Sequence, residues 1–351
     1  MKMKFVYFVL ILITVNLPVL SNAQQKEVVA EQGVGIYRLL TENGLSYSEY
    51  NQAFIELNKD RLGRNNTLLA GVKYKLPDAK TPAETKPATP VPASLPTPTP
   101  AANNTVTIKT FDIFGPAYKN VEITGSELNG AIYYLVSGHG GPDPGAVGKY
   151  GNYELCEDEY AYDVTLRLAR NLIQRGATVY MIVIDPNDGI RDDSILKPDK
   201  DEVVYPNLTI PVNQLRRLKQ RTDAVNNLYN QNRNAFQRMI CIHVDSRVQS
   251  QNIDVFFYHD RRSKTGEKTA RILQKTFQEK YNTNQPGRGY KGTVSSRGLY
   301  ELQNSYPVAV FIELGNINHQ RDQQRFMIAN NRQALANWLL QGLITDFQTN
   351  K

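Results

Sequence analysis

Residues 78–104, DAKTPAETKPATPVPASLPTPTPAANN, constrain this chain more than any other feature. They hold seven of the 18 prolines in a 351-residue sequence and almost no large apolar side chains, so they cannot build a packed core. In an extended polyproline-like state, at about 3.1 Å per residue, such a tether reaches on the order of 80 Å. The chain must therefore fold separately on either side of it. The length leaves room for one full domain after the tether and a small module before it.

The chain begins MKMKFVYFVLILITVNLPVLSNAQQ, with Lys2 and Lys4 ahead of an apolar run over residues 5–20 and the small-residue site Ser21-Asn22-Ala23 behind it. This is the order of a cleaved secretory signal over residues 1–23. Asn16 and Pro18 interrupt the run, which falls short of the ~20 apolar residues of a membrane span, so no stable membrane insertion is expected after cleavage. No Cys follows to carry a lipid anchor, and the expectation is an exported protein of the periplasm or cell envelope of a bacterium. Loss of the two lysines takes the formal charge from +7 to +5, and no dense Lys/Arg block with interleaved aromatics is present, which argues against nucleic acid as a partner. Two cysteines, Cys156 and Cys241, are too few for a disulfide-built fold even in an oxidising compartment.

Before the tether, residues 26–77 set Ile36, Leu39 and Leu40 on one helical face and Tyr50, Phe54, Ile55 and Leu57 on a second, and residues 72–76 alternate like a short strand. Gly44 and Gly71 punctuate the segment as helix stop and turn. The expected order is strand, helix, helix, strand. The GIYRLL-x-x-NGLS run, the ELN triplet and the closing AGVKYKLP resemble a LysM module, a family that binds N-acetylglucosamine-containing glycans. QGVG replaces the usual glycine–aspartate opening, and the DRLGRNN loop is longer than typical. The resemblance implies a peptidoglycan-binding module; the other reading is a small interaction domain without sugar affinity.

After the tether, over residues 105–351, apolar runs alternate with amphipathic helices. The fold class expected is α/β, a mostly parallel twisted sheet flanked by helices. Strands are predicted at 131–136, 178–184, 239–242, 253–258 and 308–312, and helices at about 158–174, 213–231, 265–280 and 320–346. Ala161, Val164, Leu168 and Leu172 recur at helical spacing as core positions, and Gly176 follows as a stop.

In open α/β sheets, ligands sit beyond the carboxyl ends of the strands. Three predicted strand ends carry a metal-ligating or acid–base group: His139 after AIYYLVSG, His243 after MICI and Glu313 after VAVFI. A single histidine there is ordinarily structural. Two on one rim beside carboxylates, in a chain with only four histidines, point to a metal. Zinc accepts imidazole nitrogen and carboxylate oxygen and, in catalytic sites, keeps one position for water.

The segments GHGGPDPGAVG, LCEDEYAYDVTLRLARNL, ICIHVDS and VFIELGNI resemble, in order, four signatures of the zinc-dependent N-acetylmuramoyl-L-alanine amidases, with coverage from about residue 130 to the C-terminus. The resemblance implies His139 as first zinc ligand, His243 as last and Glu313 as catalytic glutamate. For the middle ligand Glu154, Glu157 and Glu159 are all near. Helix register, counted from Leu168 and Ala169, favours Glu157; Glu154 would restore the family's interval from His139 but break that register. The remaining two then read as solvated carboxylates at a helix start. Zinc so held would lower the pKa of bound water toward ~7, with Glu313 relaying its proton to the leaving nitrogen of L-alanine.

Arg297, in SSRGLYEL, matches a position near the family's substrate groove, with a surface ion-pair partner as the alternative. His259 reads as a surface or packing residue and His319 as structural. Residues 185–211 carry seven acids and read as a solvated loop, with a groove wall or lid as alternatives. The stretch after His243 leaves no room for the inhibitory helix of some septal members. Cys156 adjoins Glu157 and Cys241 shares a strand face with His243, which raises the expectation of a disulfide bracing the ligands. Two other functions fit less well: another zinc-dependent peptidoglycan peptidase, and a non-catalytic wall-binding protein with a decayed site. The stem peptide preferred, any protein activator, and the choice between daughter-cell separation and general wall remodelling leave no mark on these residues.

Overall fold

The computed structural model of the protein describes residues 26–30, 35–36, 39–40, 43–45, 47–63, 68–78 and 107–351. The expected signal over residues 1–23 and, Asp78 apart, the expected tether lie outside the described residues. The chain divides into two units, Met1–Val91 and Pro92–Lys351.

In the first unit β1 (Glu27–Val29) pairs antiparallel with β2 (Lys73–Lys75), setting Val28 opposite Tyr74. Between them Ile36, Leu39 and Leu40 are helical and buried, and α1 (Tyr47–Leu57) brings Phe54 against Tyr74, both fully buried with ring centroids 6.0 Å apart. Gly44 and Gly71 adopt φ of +75° and +79°, the left-handed conformation that a helix stop and a turn require. Asn58 fastens α1 to β2 by donating to the carbonyls of Phe54 and Lys75 and accepting the Lys75 amide at 2.7 Å. Leu57, expected on the inner face of α1, is 37% exposed; Tyr50 and Ile55 flank the core instead.

The second unit is built on a six-stranded sheet of order β14-β13-β15-β12-β5-β8: Val294–Ser296, Phe256–His259, Val308–Asn316, Phe236–Asp245, Ala131–Ser137 and Thr178–Met181. All neighbours are parallel except β13 and β15. Nearly every residue of β5 and β12 is buried because helices cover both faces, and continuous apolar runs are what such strands require. One face carries α2 (Glu157–Gln174), α4 (Lys264–Asn284) and α7 (Ala329–Asn350). The other packs Ile132, Tyr134, Val136, Met239 and Cys241 against Ala224, Val225 and Leu228 of α3 (Gln214–Gln231). The C-terminal ends of β5, β12 and β15 share one rim, with His243 registered directly against Glu313.

Several details differ from expectation. The run over 178–184 is broken at Ile182, so that β9 (Val183–Ile184) leaves the main sheet and pairs with β10 (Val203–Val204), itself paired with β11 (Leu208–Thr209). The helix over 320–346 is two helices, α6 (Gln320–Met327) and α7, separated by Ile328 in extended conformation. Side chains bridge the break: Arg332 donates to the Phe326 carbonyl and Asn331 to that of Gln324, which also accepts the Ile328 amide. Two hairpins lie outside the predicted strands, β3 (Thr107–Thr110) with β4 (Asn120–Ile123) and β6 (Val147–Tyr150) with β7 (Tyr153–Cys156). A short helix, α5 (Tyr300–Asn304), precedes β15.

Residues 185–211 are a packed flank rather than a solvated loop. Asp185 and Glu202 are buried, and Arg191 pairs with Glu159 at 2.7 Å and with Asp188. Fully buried Arg332 donates to Asp163 at 2.6 Å and to the carbonyls of Arg191 and Asp193. Asp185, Asp188, Asp192 and Glu202 thus meet guanidinium groups or backbone amides, while Asp193 and Asp201 stay exposed. The disulfide expectation also fails: both cysteines are free thiols. Cys241 packs on the α3 face, whereas Cys156 caps α2 on the opposite face, so the sheet stands between them.

Candidate metal centre

The sharp turn after β5 places His139 at φ +60°, a conformation uncommon for a residue with a side chain and found most often where function demands it. Its neighbours explain the glycines. A Cβ on Gly138 would lie 2.4 Å from the His243 ring, and one on Gly145 would lie 2.7 Å from both His139 and the Glu157 carboxylate. Glu202 holds the turn from the flank by accepting the Gly141 amide at 2.7 Å. Asp143 holds it from within: its Oδ2 is 2.9 Å from His139 Nδ1 and also takes the guanidinium of Arg217, while Arg221 donates to the His139 carbonyl.

Glu157 is the first residue of α2, and the β6–β7 hairpin takes up the extended interval between it and His139. Its Oε2 accepts the Ala146 amide at 2.8 Å and lies 3.3 Å from His139 Nε2. Its Oε1 lies 3.0 Å from His243 Nδ1 and accepts the Val244 amide at 3.0 Å. That amide is released from the ladder by a register shift between His243 and Asp245, an irregularity of the kind that re-aims groups beside active sites. The His243 ring stacks on Phe311 with centroids 4.1 Å apart. One donor atom each from His139, Glu157 and His243 falls within 4.8 Å of the other two. Glu154 instead sits exposed on β7 opposite Lys149, and Glu159 is engaged by Arg191.

Glu313 lines the same cavity, of about 380 Å³, together with His139, Glu157, His243 and Arg297. Two buried polar atoms there, His243 Nε2 and Glu313 Oε2, have no protein partner, which is unusual unless a further group completes the site. Burial, then the charges of Glu157 and Asp245, push the Glu313 carboxyl well above its ordinary range, against the pull of Arg297 and His139. Burial opposes a charged His139, but the Asp143 and Glu157 carboxylates outweigh it and raise its pKa to about 10. Burial likewise opposes an ionised Glu157, yet hydrogen bonds from the two imidazoles lower its pKa. A carboxylate held ionised beside an imidazole of raised proton affinity, that of His139, makes a site that favours positive charge. Two imidazoles and one carboxylate form a donor set that zinc accepts.

The expected residues thus converge, except that Arg297 stands on the cavity wall with its guanidinium 5.2 Å from the Tyr258 ring centre. His259 is buried against the Asp260 carbonyl, and His319 lies near Asn252 and Asp322; neither lines the cavity. No residue of 185–211 lines that cavity. No helix is inserted between β12 and β13. Asp143, Arg217 and Arg221 were not anticipated. Their signal was present: Arg217 and Arg221 fall at helical spacing on the same stripe of α3 as Ala224, Val225 and Leu228, so they point inward.

Residues 134–345 match the family model described as N-acetylmuramoyl-L-alanine amidase, and the chain belongs to that family. It is a peptidoglycan hydrolase that cleaves the amide bond between N-acetylmuramic acid and L-alanine. Among solved structures it is similar to the amidase AmiC2 of Nostoc punctiforme, at 18% identity and TM-score 0.45 over 64% of this chain and 99% of that one. It is also similar to an N-acetylmuramoyl-L-alanine amidase from Clostridium difficile 630, at 17% identity and TM-score 0.46 over 65% and 100%. A third is the catalytic domain of CwlV from Bacillus (Paenibacillus) polymyxa var. colistinus, at 17% identity and TM-score 0.45 over 63% and 99%. None of the curated proteins matches the chain. Among the described residues no helix is long and apolar enough to cross a membrane.

Proposed function

We propose that the amidase is zinc-dependent, with His139, Glu157 and His243 holding the ion and Glu313 serving as catalytic acid and base. The convergence of their three donor atoms within 4.8 Å, beside two unpartnered buried atoms, carries this reading. Bound there, zinc supplies Lewis acidity toward the scissile carbonyl and makes water a better nucleophile at neutral pH.

The chain's own residues perform the remaining work. Asp143 orients the His139 imidazole, as carboxylate partners of metal-bound histidines do. Glu313, with its raised proton affinity, accepts a proton from the attacking water and returns it to the departing nitrogen of L-alanine. Arg297, on the cavity wall without an ion-pair partner among the described residues, is placed to bind an anionic group of the stem peptide.

The first unit serves as a LysM-like module that retains the enzyme on peptidoglycan, in keeping with its strand–helix–helix–strand order and its own core. The opening residues direct export, which places the enzyme where its substrate lies, in the periplasm or envelope. Glu313→Gln tests the central assignment: activity should fall at least roughly a hundredfold, the usual contribution of a proton-transfer group, while the protein keeps one zinc. Loss of zinc would make Glu313 a ligand, and unchanged turnover would remove it from the chemistry.

A further inference from the structure

Beside the amidase cavity the fold buries a second group of carboxylates. Asp158 and Glu159 on the first turn of α2, and Glu202 just before β10, are 3%, 2% and 7% exposed, and one oxygen from each lies within 4.8 Å of the other two. Arg191 neutralises Glu159, which also accepts the Asp199 amide. Glu202 accepts the Gly141 amide and Asp158 Oδ1 the Glu159 amide, at 2.7 and 3.0 Å. Asp158 Oδ2, closed off from solvent, has no partner at all, and among the described residues neither Asp158 nor Glu202 forms an ion pair.

Two uncompensated carboxylates so close together repel, and burial removes the water that would screen them. A divalent cation balances that charge. The donors are all oxygen, which suits a hard ion and disfavours the metals that seek nitrogen or sulfur. Oxygens up to 4.8 Å apart can lie on either side of one calcium ion, whose bonds to oxygen are about 2.3–2.6 Å.

We propose that Asp158, Glu159 and Glu202 bind a calcium ion, separate from the zinc of the amidase centre. The two groups share no residue, so this site does not depend on the zinc assignment. Through Glu202 and Gly141, and through Asp158 next to Glu157, the ion ties the glycine-rich turn, α2 and the 185–211 flank together. Calcium therefore steadies the elements that present His139 and Glu157.

The test uses the full chain prepared with zinc as the only added divalent metal. Titration with calcium chloride is followed by calorimetry and thermal melting, and bound metals are counted by mass spectrometry. The expected result is one calcium per chain in addition to zinc, with a higher melting temperature. Asp158→Asn and Glu202→Gln should each bind calcium at least roughly tenfold more weakly, while keeping zinc and the wild-type circular dichroism spectrum. Absence of binding to the wild type at millimolar calcium overturns the proposal and leaves a shared proton as the balancing charge. Calcium that enters only by displacing zinc, or that binds both variants undiminished, overturns it as well. If one variant fails to fold, the wild-type titration and the other variant decide.

Discussion

Replacing Asp143 with alanine removes the carboxylate that orients the His139 imidazole. Its Oδ2 lies 2.9 Å from His139 Nδ1, and the backbone of His139 is already in an uncommon conformation at φ +60°, so the ring relies on this bond for its direction. A hydrogen bond to a charged group contributes about 1.5–3 kcal/mol. At about 1.4 kcal/mol per factor of ten, losing it corresponds to zinc bound roughly ten- to a hundredfold more weakly, the range found for partners of metal-bound imidazoles. The variant's zinc affinity, measured by competition with a chromogenic chelator at neutral pH, should fall by that factor, with circular dichroism confirming the fold. Unchanged affinity in a folded variant would refute the positioning role of Asp143.

Two further outcomes follow from other parts of the chain. A variant lacking residues 26–77 should bind purified, metal-stripped sacculi more weakly than the intact chain in a sedimentation assay; equal binding would remove the glycan-retention role of the first unit. Asp163 is fully buried, which opposes its ionisation, but Arg167 and Arg332 outweigh this and lower its pKa from 3.8 to about 2. A carboxyl depressed on folding stabilises the protein above its unfolded pKa, and that contribution, on the order of 2 kcal/mol, is lost as pH falls toward the folded value. Thermal melts should therefore decline between about pH 4 and pH 2 in the wild type. Asp163→Asn, less stable at neutral pH because it strands two buried guanidiniums, should show a flatter decline; a wild-type slope in the variant would contradict the assignment.

His139, His243 and Glu313 were legible in the sequence because each follows an apolar run too short and too β-branched or aromatic to be anything but a buried strand. Glu157 was legible through helix register, although the interval before it is lengthened by the β6–β7 hairpin, whose Gly151-Asn152 turn was overlooked. Helix propensity over 320–346 hid the break at Ile328, which is set by hydrogen bonds from Arg332 and Asn331 after folding. The packing of residues 185–211 was not legible because the arginines that hold the segment, Arg167 on Asp192 and the Arg191 carbonyl and Arg332 on the carbonyls of Arg191 and Asp193, are distant from it in sequence. The disulfide was misread because face parity along β12 says nothing of which face α2 occupies.

Mass spectrometry of muropeptides released from purified sacculi tests the zinc centre most directly, with the enzyme native, treated with chelator, and resupplied with zinc. Intact stem peptides with a free L-alanine amino terminus should appear with the native enzyme, vanish after chelation and return with zinc. Undiminished release after chelation, from protein shown to hold no metal, would contradict a zinc ion at His139, Glu157 and His243.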